Sequence, residues 1–447
     1  SEERLLTTLG LLESAGIVSR RGTPPEAHYS FRHALVRDAA YDSLLLNERR
    51  KLHAMVAAIL GEGERVDYAV LANHQALAGE FELAVSSFLR AGRGAAQRAE
   101  HDEAARNLER AQELSDAELT GRAALSAQLD IQRALGVVHL AQTSYGNPAV
   151  GEAYARASAL ASQLSDDRAL FSSLRGEWMH QFTSASVDYG LSKADAMLAM
   201  TGGEGRAPLE AIGNQLRGQS LYLLGSILEA KTCFERAVEL SPEIDRYGQD
   251  AVALAYTFGS AIQWAAGYPG RAVAWIEEGL ALAGSIGNPL VFAQALMHAT
   301  TTSSFAVGHE WTRRLLIEHE GERRAEAFGY FSPMIKLRLA WVDPLGVPNA
   351  IADARSGIEA LKAVGANVSH GHHLCQLAEV ELANGLLDQA QRTADSALEF
   401  AMARGERAYL PEVLRVGAQI RLSAAVPDVD EARCLLERGL QAARATN

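Results

Sequence analysis

The sequence predicts an all-α fold in which antiparallel helix pairs stack into a solenoid and wind into a superhelix. Three observations predict it. The 447 residues are 48% hydrophobic but only 6% aromatic, alanine and leucine supply most of the apolar side chains, and a helical pattern of small and large residues recurs about every 40 residues. This composition favours closely packed helices over β-sandwiches, which are rich in β-branched and aromatic residues.

The first 60 residues follow a different pattern. Leucines mark one side of a helix predicted over residues 3–14, and β-prone runs at 17–20 and 29–32 predict a short hairpin. Two further helices are predicted over 34–45 and 47–60. A helix that leads into a two-stranded hairpin is typical of a winged-helix domain, and we expect residues 1–60 to be a remnant of one.

The clearest repeat begins at Gly225, places Ala230, Phe234 and Ala237 at helical spacing, and ends before Pro242. It resembles a tetratricopeptide repeat, in which small residues let paired helices approach closely. Four units share this signature in their second helix, and their first small residues are Ala230, Ala272, Ala390 and Ala432. Because one unit cannot bury its own apolar stripe, stacked neighbours must share a core. We therefore expect a tetratricopeptide-like array over residues 61–447.

A longer motif follows the hairpin. Residues 29–45 read YSFRHALVRDAAYDSLL, and 49–53 read RRKLH. This run resembles the junction after the ATPase in bacterial STAND-type signalling proteins, such as ATPase-containing class III adenylate or guanylate cyclases and maltose-regulator-like or LuxR-type activators. The C-terminal runs GERAYLPEVLR (405–415) and DEARCLLERGL (430–440) resemble the last repeats of that group. The resemblance implies a winged helix, a long repeat array and an attached ATPase module.

Charge and cysteine content exclude several classes of protein. The formal net charge is −13, and residues 1–60 carry eight basic and seven acidic side chains. A nucleic-acid-binding surface needs clustered basic residues, so we do not expect nucleic acid as a partner. The apolar runs are far shorter than a membrane span. Three cysteines suit neither a disulfide framework nor a zinc motif, which favours a cytoplasmic protein.

No catalytic motif is present. The sequence contains no phosphate-binding P-loop, nucleophile elbow or HExxH helix, so we expect neither enzymatic activity nor a cofactor in this chain. The best metal candidate is His370, His372 and His373, with Cys375 nearby. No second cluster completes a four-ligand set, and the sequence therefore predicts no metal site.

Binding chemistry is concentrated in the first helix of each pair, which lines the concave face of a tetratricopeptide-like array. Counting back from the small residues places polar groups among Trp and Tyr side chains there, an arrangement that favours binding of a protein, peptide or small-molecule effector. The candidate groove residues are Gln215, Gln219, Tyr222, Thr257, Trp264, Met297, Thr301, Trp341, His372 and Glu379. Replacing Trp264 and Trp341 with alanine is then expected to weaken ligand binding and to leave the fold intact.

These observations favour a non-catalytic sensor or scaffold that binds an effector and regulates an attached ATPase. Two alternatives are the regulatory C-terminal region of a nucleotide cyclase and the effector-binding part of a LuxR-type transcription activator. The chain begins at Ser1 without an initiator methionine, so we expect it to be a piece of a longer protein. The neighbouring sequence would separate the alternatives.

Overall fold

The computed structural model describes residues 2–24, 26–63, 66–144, 146–184, 187–202, 206–318 and 331–446. The chain forms two compact units, Ser1–Ala127 and Gln128–Asn447. In the described ranges it contains 22 α-helices, one 3-10 helix and one two-stranded sheet. This is the predicted all-α helical-repeat solenoid, in which the short hairpin precedes the repeats.

The first unit contains that hairpin and the first helix pairs. Its elements are α1 (Glu2–Ser14), β1 (Val18–Arg21), β2 (His28–Phe31), α2 (Ala34–Asp42), α3 (Leu46–Gly61), α4 (Tyr68–Ala78), α5 (Phe81–Gln97) and α6 (His101–Glu118). The strands pair antiparallel, with Val18 opposite Phe31, and this confirms the predicted hairpin. Identification as a winged-helix remnant that ends at residue 60 stays a prediction.

Helix α7 (Gly121–Gln142) contains the boundary between the units. The elements that follow are α8 (Pro148–Leu164), α9 (Asp167–Thr183), α10 (Val187–Ala199), α11 (Ala207–Leu223), α12 (Ile227–Glu239), η1 (Ser241–Glu243), α13 (Gln249–Ala265), α14 (Pro269–Ile286), α15 (Pro289–Ala306), α16 (His309–Glu318), α17 (Phe331–Val342), α18 (Ala350–Ala363), α19 (His370–Ala383), α20 (Leu387–Arg404), α21 (Leu410–Leu422) and α22 (Val429–Ala445).

Helix pairs in the second unit repeat with the predicted period. The first helices α11, α13, α15, α17, α19 and α21 begin at residues 207, 249, 289, 331, 370 and 410, and each of them contacts the next first helix in the series. Ala230, Ala272, Ala390 and Ala432 all lie buried on second helices, where their small size permits close packing. The inner layer is therefore built from alternate helices, as in a tetratricopeptide array.

Local sequence explains how one pair ends and the next begins. Gly287 closes α14 in the left-handed conformation (φ 70°), which glycine adopts without steric cost. The Asn288 side chain then accepts a hydrogen bond from the backbone N–H of Leu290 and caps α15. Pro289 follows in the first turn, where a missing N–H is harmless. The Gly-Asn-Pro run is thus a helix boundary that can be predicted from sequence.

Backbone hydrogen bonds link the later pairs of the second unit to its earlier pairs. Asn367 and Val368 donate their N–H groups to the carbonyl of Thr183, at 2.8 and 3.0 Å. Arg407 donates to the carbonyl of Leu223 at 2.8 Å, and Ile227 donates to that of Thr446 at 3.2 Å. The superhelix of this unit therefore closes on itself and encloses an interior lined by first helices.

Within the described ranges, no helix combines the length and the apolar character needed to cross a lipid bilayer.

Candidate functional site

All ten predicted groove residues lie on first helices of the second unit. Gln215, Gln219 and Tyr222 are on α11, Thr257 and Trp264 on α13, Met297 and Thr301 on α15, Trp341 on α17, and His372 and Glu379 on α19. Seven of them are buried, Thr301 and Glu379 are half-buried, and Trp264 is 40% exposed. The structure brings some of these side chains together at two cavities, and their role in binding stays a prediction.

The first cavity, which we call the aromatic cavity, has a volume of about 370 Å³. Tyr222, Trp264, Thr301 and Phe305 line one side. Tyr409 and the apolar face of α22, including Leu436, Leu440 and Ala443, line the other. It therefore exists only because the superhelix closes and brings α22 to α11, α13 and α15.

The second cavity, with a volume of about 710 Å³, lies beside α19. Its lining includes His309, Trp341, Glu379, Gln419 and Ser423. Trp341 itself is only 3% exposed. Five of the ten predicted groove residues line these cavities: Tyr222, Trp264 and Thr301 line the first, and Trp341 and Glu379 line the second. The other five are not in either lining.

A chain of aromatic rings connects the walls of the aromatic cavity. Trp264 stacks on Phe305 with ring centroids 5.4 Å apart, and Phe305 lies 6.2 Å from the ring of His372. His372 stacks on Tyr409 at 4.2 Å and an interplanar angle of 13°. Tyr409 in turn meets Tyr222 edge-on at 5.8 Å. Stacked and edge-on contacts of this kind hold the rings in defined orientations.

An ion-pair network lies between α17, α19 and α21. Trp341 donates its indole N–H to Glu379 Oε2 at 2.7 Å, and Arg415 contacts Glu379 Oε1 at 2.9 Å and Glu412 Oε1 at 2.6 Å. Burial raises the pKa of Glu379, an effect that the hydrogen bond from Trp341 opposes. Hydrogen bonding to Glu412 raises the pKa of Arg415. These contacts engage the Arg415 guanidinium and connect the inner helices.

Arg338 on α17 is buried, whereas Arg415 is exposed. Arg338 is 3% exposed, its Nη2 donates to Thr301 Oγ1 at 2.9 Å, and its guanidinium lies 5.2 Å from the Trp341 ring centroid. Its Nε and Nη1 have no hydrogen-bond partner among the described residues. Burial lowers the pKa of Arg338 to about 10.

The histidine cluster at the start of α19 does not converge. His370 packs edge-on against Phe400 at 4.8 Å, whereas His372 stacks on Tyr409. Burial lowers the pKa of His373 to about 3 and that of His372 well below its usual value. Among the described residues, no group of three or more His, Cys, Asp or Glu side chains is arranged to hold a metal ion.

Several basic residues of the first unit are paired with acidic neighbours. Arg20 lies 3.6 Å from Glu13, Arg49 lies 3.5 Å from Asp42, and Lys51 lies 3.0 Å from Glu48. These ion pairs offset part of the positive charge of residues 1–60.

Comparison with known proteins supports the fold. No protein-family model matches the chain. An uncharacterized protein from Rhizobium meliloti (strain 1021) is 31% identical over 103 residues, which are 22% of this chain and 10% of that protein. The chain therefore matches only a small part of the length of that curated relative.

Solved structures give the clearer similarity. A Rap protein complexed with Competence and Sporulation Factor superposes with a TM-score of 0.56 and 11% identity, over 82% of this chain and 99% of that chain. A STAND protein with a tetratricopeptide repeat sensor, from Pyrococcus horikoshii, covers 92% of this chain and 65% of its own at 10% identity. Its TM-score of 0.37 is too low to establish a common fold. The Rap similarity identifies a shared helical-repeat fold.

Sequence reasoning missed several residues of the interior. Phe305 lies four residues after Thr301, and Arg338 lies three residues before Trp341. Both therefore share a helix face with a predicted residue and could have been found by extending that face by one turn. Tyr409 and Leu436 had no such signal, because their position follows from the closure of the superhelix.

Proposed function

We propose that this chain is a non-catalytic helical-repeat sensor whose inner surface binds a protein, peptide or small-molecule effector. The observation that carries the proposal is the aromatic cavity, where a large indole stays 40% exposed in a lining that also contains the buried Tyr222 and Thr302. Apolar, partly aromatic cavities with a few polar groups are typical ligand sites, and about 370 Å³ falls within their usual range.

The site has the composition of a binding surface. Trp264, Phe305 and Tyr409 offer apolar contact, while Thr301 offers a hydroxyl oxygen and Arg415 a positive charge within the same lining. Aromatic and arginine side chains contribute most of the binding energy at many interfaces. The Rap protein of the same fold is complexed with Competence and Sporulation Factor, which is a precedent for ligand binding by this architecture.

Regulation of an attached ATPase is the finer part of the proposal. It is supported by the resemblance of residues 29–53 to the junction that follows STAND-type ATPases. An effector that binds between α13 and α22 would favour the closed superhelix, and the attached module would respond to that change. The alternatives are a regulatory region of a nucleotide cyclase and the effector-binding part of a LuxR-type activator. A cyclase signature upstream or a helix-turn-helix downstream would distinguish them.

The experiment is a ligand screen with two matched variants. A library of short peptides and metabolites is tested by thermal shift, and each hit is verified by native mass spectrometry. We expect Trp264→Ala to weaken the binding of a verified ligand at least tenfold, since it removes an exposed aromatic anchor. Tyr247→Ala is the control, because Tyr247 is an exposed aromatic residue outside the cavity lining. Equal affinity in the wild type and Trp264→Ala would exclude the aromatic cavity as the site.

Trp341 is unsuitable for this test. It is buried and belongs to the hydrophobic core around Leu337, Ala340 and Ile358, and truncation of a buried tryptophan costs roughly 3–5 kcal/mol of stability. The sequence predicted that replacing both Trp264 and Trp341 with alanine would leave the fold intact. The buried position of Trp341 means that this double variant could not separate loss of binding from unfolding. The single Trp264 variant avoids this, because its side chain is partly in solvent.

A further inference from the structure

Arg338 has the properties of a side chain that binds a negatively charged group. A buried guanidinium is costly unless it is paired, and proteins normally place a carboxylate beside it. Here Nη2 bonds a neutral hydroxyl, Thr301 Oγ1, and the described residues provide no partner for Nε or Nη1. Because Thr301 also lines the aromatic cavity, this hydrogen bond places the guanidinium directly behind the wall of that cavity.

Four buried or half-buried carboxylates of the second unit are engaged by other groups. Glu379 and Glu412 pair with Arg415, Glu235 pairs with Lys231 and Arg271, and Glu406 accepts the backbone N–H of Ser369. Among the described groups, the only charge that raises the pKa of Arg338 is Tyr409, and burial outweighs it. Within the described ranges, no protein carboxylate therefore neutralises Arg338.

The histidines around Arg338 carry no positive charge that would compete with it for an anion. Burial, followed by the charge of Arg338, lowers the pKa values of His298, His309 and His372, so these imidazoles are neutral near pH 7. The Nε2 atom of His372 lies 3.1 Å from the amide nitrogen of Gln376. The Nδ1 atom of His372 has no hydrogen-bond partner among the described residues.

We infer that Arg338 binds an anionic oxygen group, a carboxylate or a phosphate, on the effector that enters the aromatic cavity. The inference rests on the proposed function. Arginine suits such groups because its planar fork offers several donors to oxygen. The apolar part of the same ligand packs on Trp264 and Phe305, which are adjacent to Thr301 in the lining. The ligand class is therefore an organic anion with an apolar body.

The test uses three probes of known chemistry at low ionic strength. These are 3-phenylpropionate, its uncharged amide 3-phenylpropionamide, and inorganic phosphate. Binding is measured by calorimetry and thermal shift on the wild type and on Arg338→Met, Arg338→Lys and Trp264→Ala. We expect the acid to bind at least tenfold more tightly than the amide, and Arg338→Met to abolish this preference. A phosphate response that depends on Arg338 would support the inference and identify phosphate as an acceptable group.

The stability of the variants without ligand distinguishes a receptor from a structural residue. Arg338→Met replaces a buried charge that has no carboxylate partner among the described residues with an apolar chain of similar length, so its Tm should equal or exceed that of the wild type. Arg338→Lys keeps the charge and should retain a weaker preference for the acid. Equal affinity for acid and amide in the wild type, or an unchanged preference in Arg338→Met, would overturn the inference. If the inference about Arg338 were overturned in this way but Trp264→Ala still weakened the binding of both the acid and the amide, the proposed function would stand.

Discussion

Glu406 is a carboxyl group that folding removes from water. It lies between α20 and α21, is 3% exposed, and accepts the Ser369 N–H at 3.1 Å. Burial raises the pKa of Glu406 to about 7, against the opposing effects of this hydrogen bond and of Arg404. The folded protein therefore binds this proton more tightly than the unfolded chain, where the pKa is near 4.5.

The raised pKa makes one contribution to stability depend on pH. It is fully present below about pH 4.5 and is lost as the pH rises through about 7. The loss amounts to about 3 kcal/mol in total, at ~1.4 kcal/mol per pH unit. We expect Glu406→Gln, which keeps an acceptor oxygen, to gain stability relative to the wild type between pH 5 and pH 8.

Urea unfolding of both proteins at several pH values measures this difference. Glu399→Gln is the control, since Glu399 is exposed on α20. The prediction concerns the difference between variant and wild type, because buried histidines act in the opposite direction. Burial lowers the pKa of His373 to about 3, so that group costs stability as the pH falls below 6.5. A constant difference between Glu406→Gln and the wild type from pH 5 to pH 8 would contradict the prediction.

At the scale of elements, a pair of helices depends on a residue without a side chain. Gly218 on α11 faces Phe234 on α12, and a Cβ added at Gly218 would lie 2.8 Å from the phenyl ring. Phe234 is fully buried in the core of this region, so the ring has no free space to move into. Close approach of the two helices therefore requires glycine at position 218.

Substitution of this glycine tests the packing. We expect Gly218→Val to destabilise the protein by about 2–3 kcal/mol, because overpacking forces both helices apart. Gly270→Val on α14 is the matched control, since a Cβ there would meet nothing within 4 Å, and its effect should stay within about 0.5 kcal/mol. Chemical denaturation compares the two variants, and equal losses would show that α11 and α12 tolerate separation.

At the scale of the second unit, closure of the superhelix is the feature on which the site depends. The end of α11 and the loop before α21 meet through the backbone bond from Arg407 to Leu223, and the rings of Tyr222 and Tyr409 meet edge-on. Gly225 fits here at φ 86°, and a Cβ on it would lie 2.8 Å from Thr446. These contacts join residues that are far apart in sequence.

Tyr409 is the residue whose loss should open this closure. Tyr409→Ala removes the stack on His372 and the contact with Tyr222, and we expect a stability loss of about 3 kcal/mol. Hydrogen–deuterium exchange should rise together at the amides of Ile227, Arg407 and Ala408, which are bonded across the closure. Tyr247→Ala should leave these amides protected. Faster exchange at only one side would show that the two sides do not open as a unit.

Much of the fold follows from local sequence. Alanines at helical spacing identified second helices, and the Gly-Asn-Pro run identified a boundary, because both depend on interactions within a few residues. The inner-layer position of Trp264, Thr301 and Trp341 followed from the same period. Their burial did not, since Trp341 lies in the core whereas Trp264 stays in part exposed.

The sequence by itself therefore determined the helix pairs, their period near 40 residues, the short hairpin and the helix face on which the candidate site lies. Tertiary structure alone decided that α22 faces α13, that Tyr409 stacks on His372, and that Arg338 is buried without a described carboxylate. The physical reason is the separation in sequence between contacting residues, because helical periodicity reflects only contacts between residues that are close in sequence. Closure depends on small rotations that accumulate over many helix pairs, and no local sequence pattern determines where the superhelix meets itself.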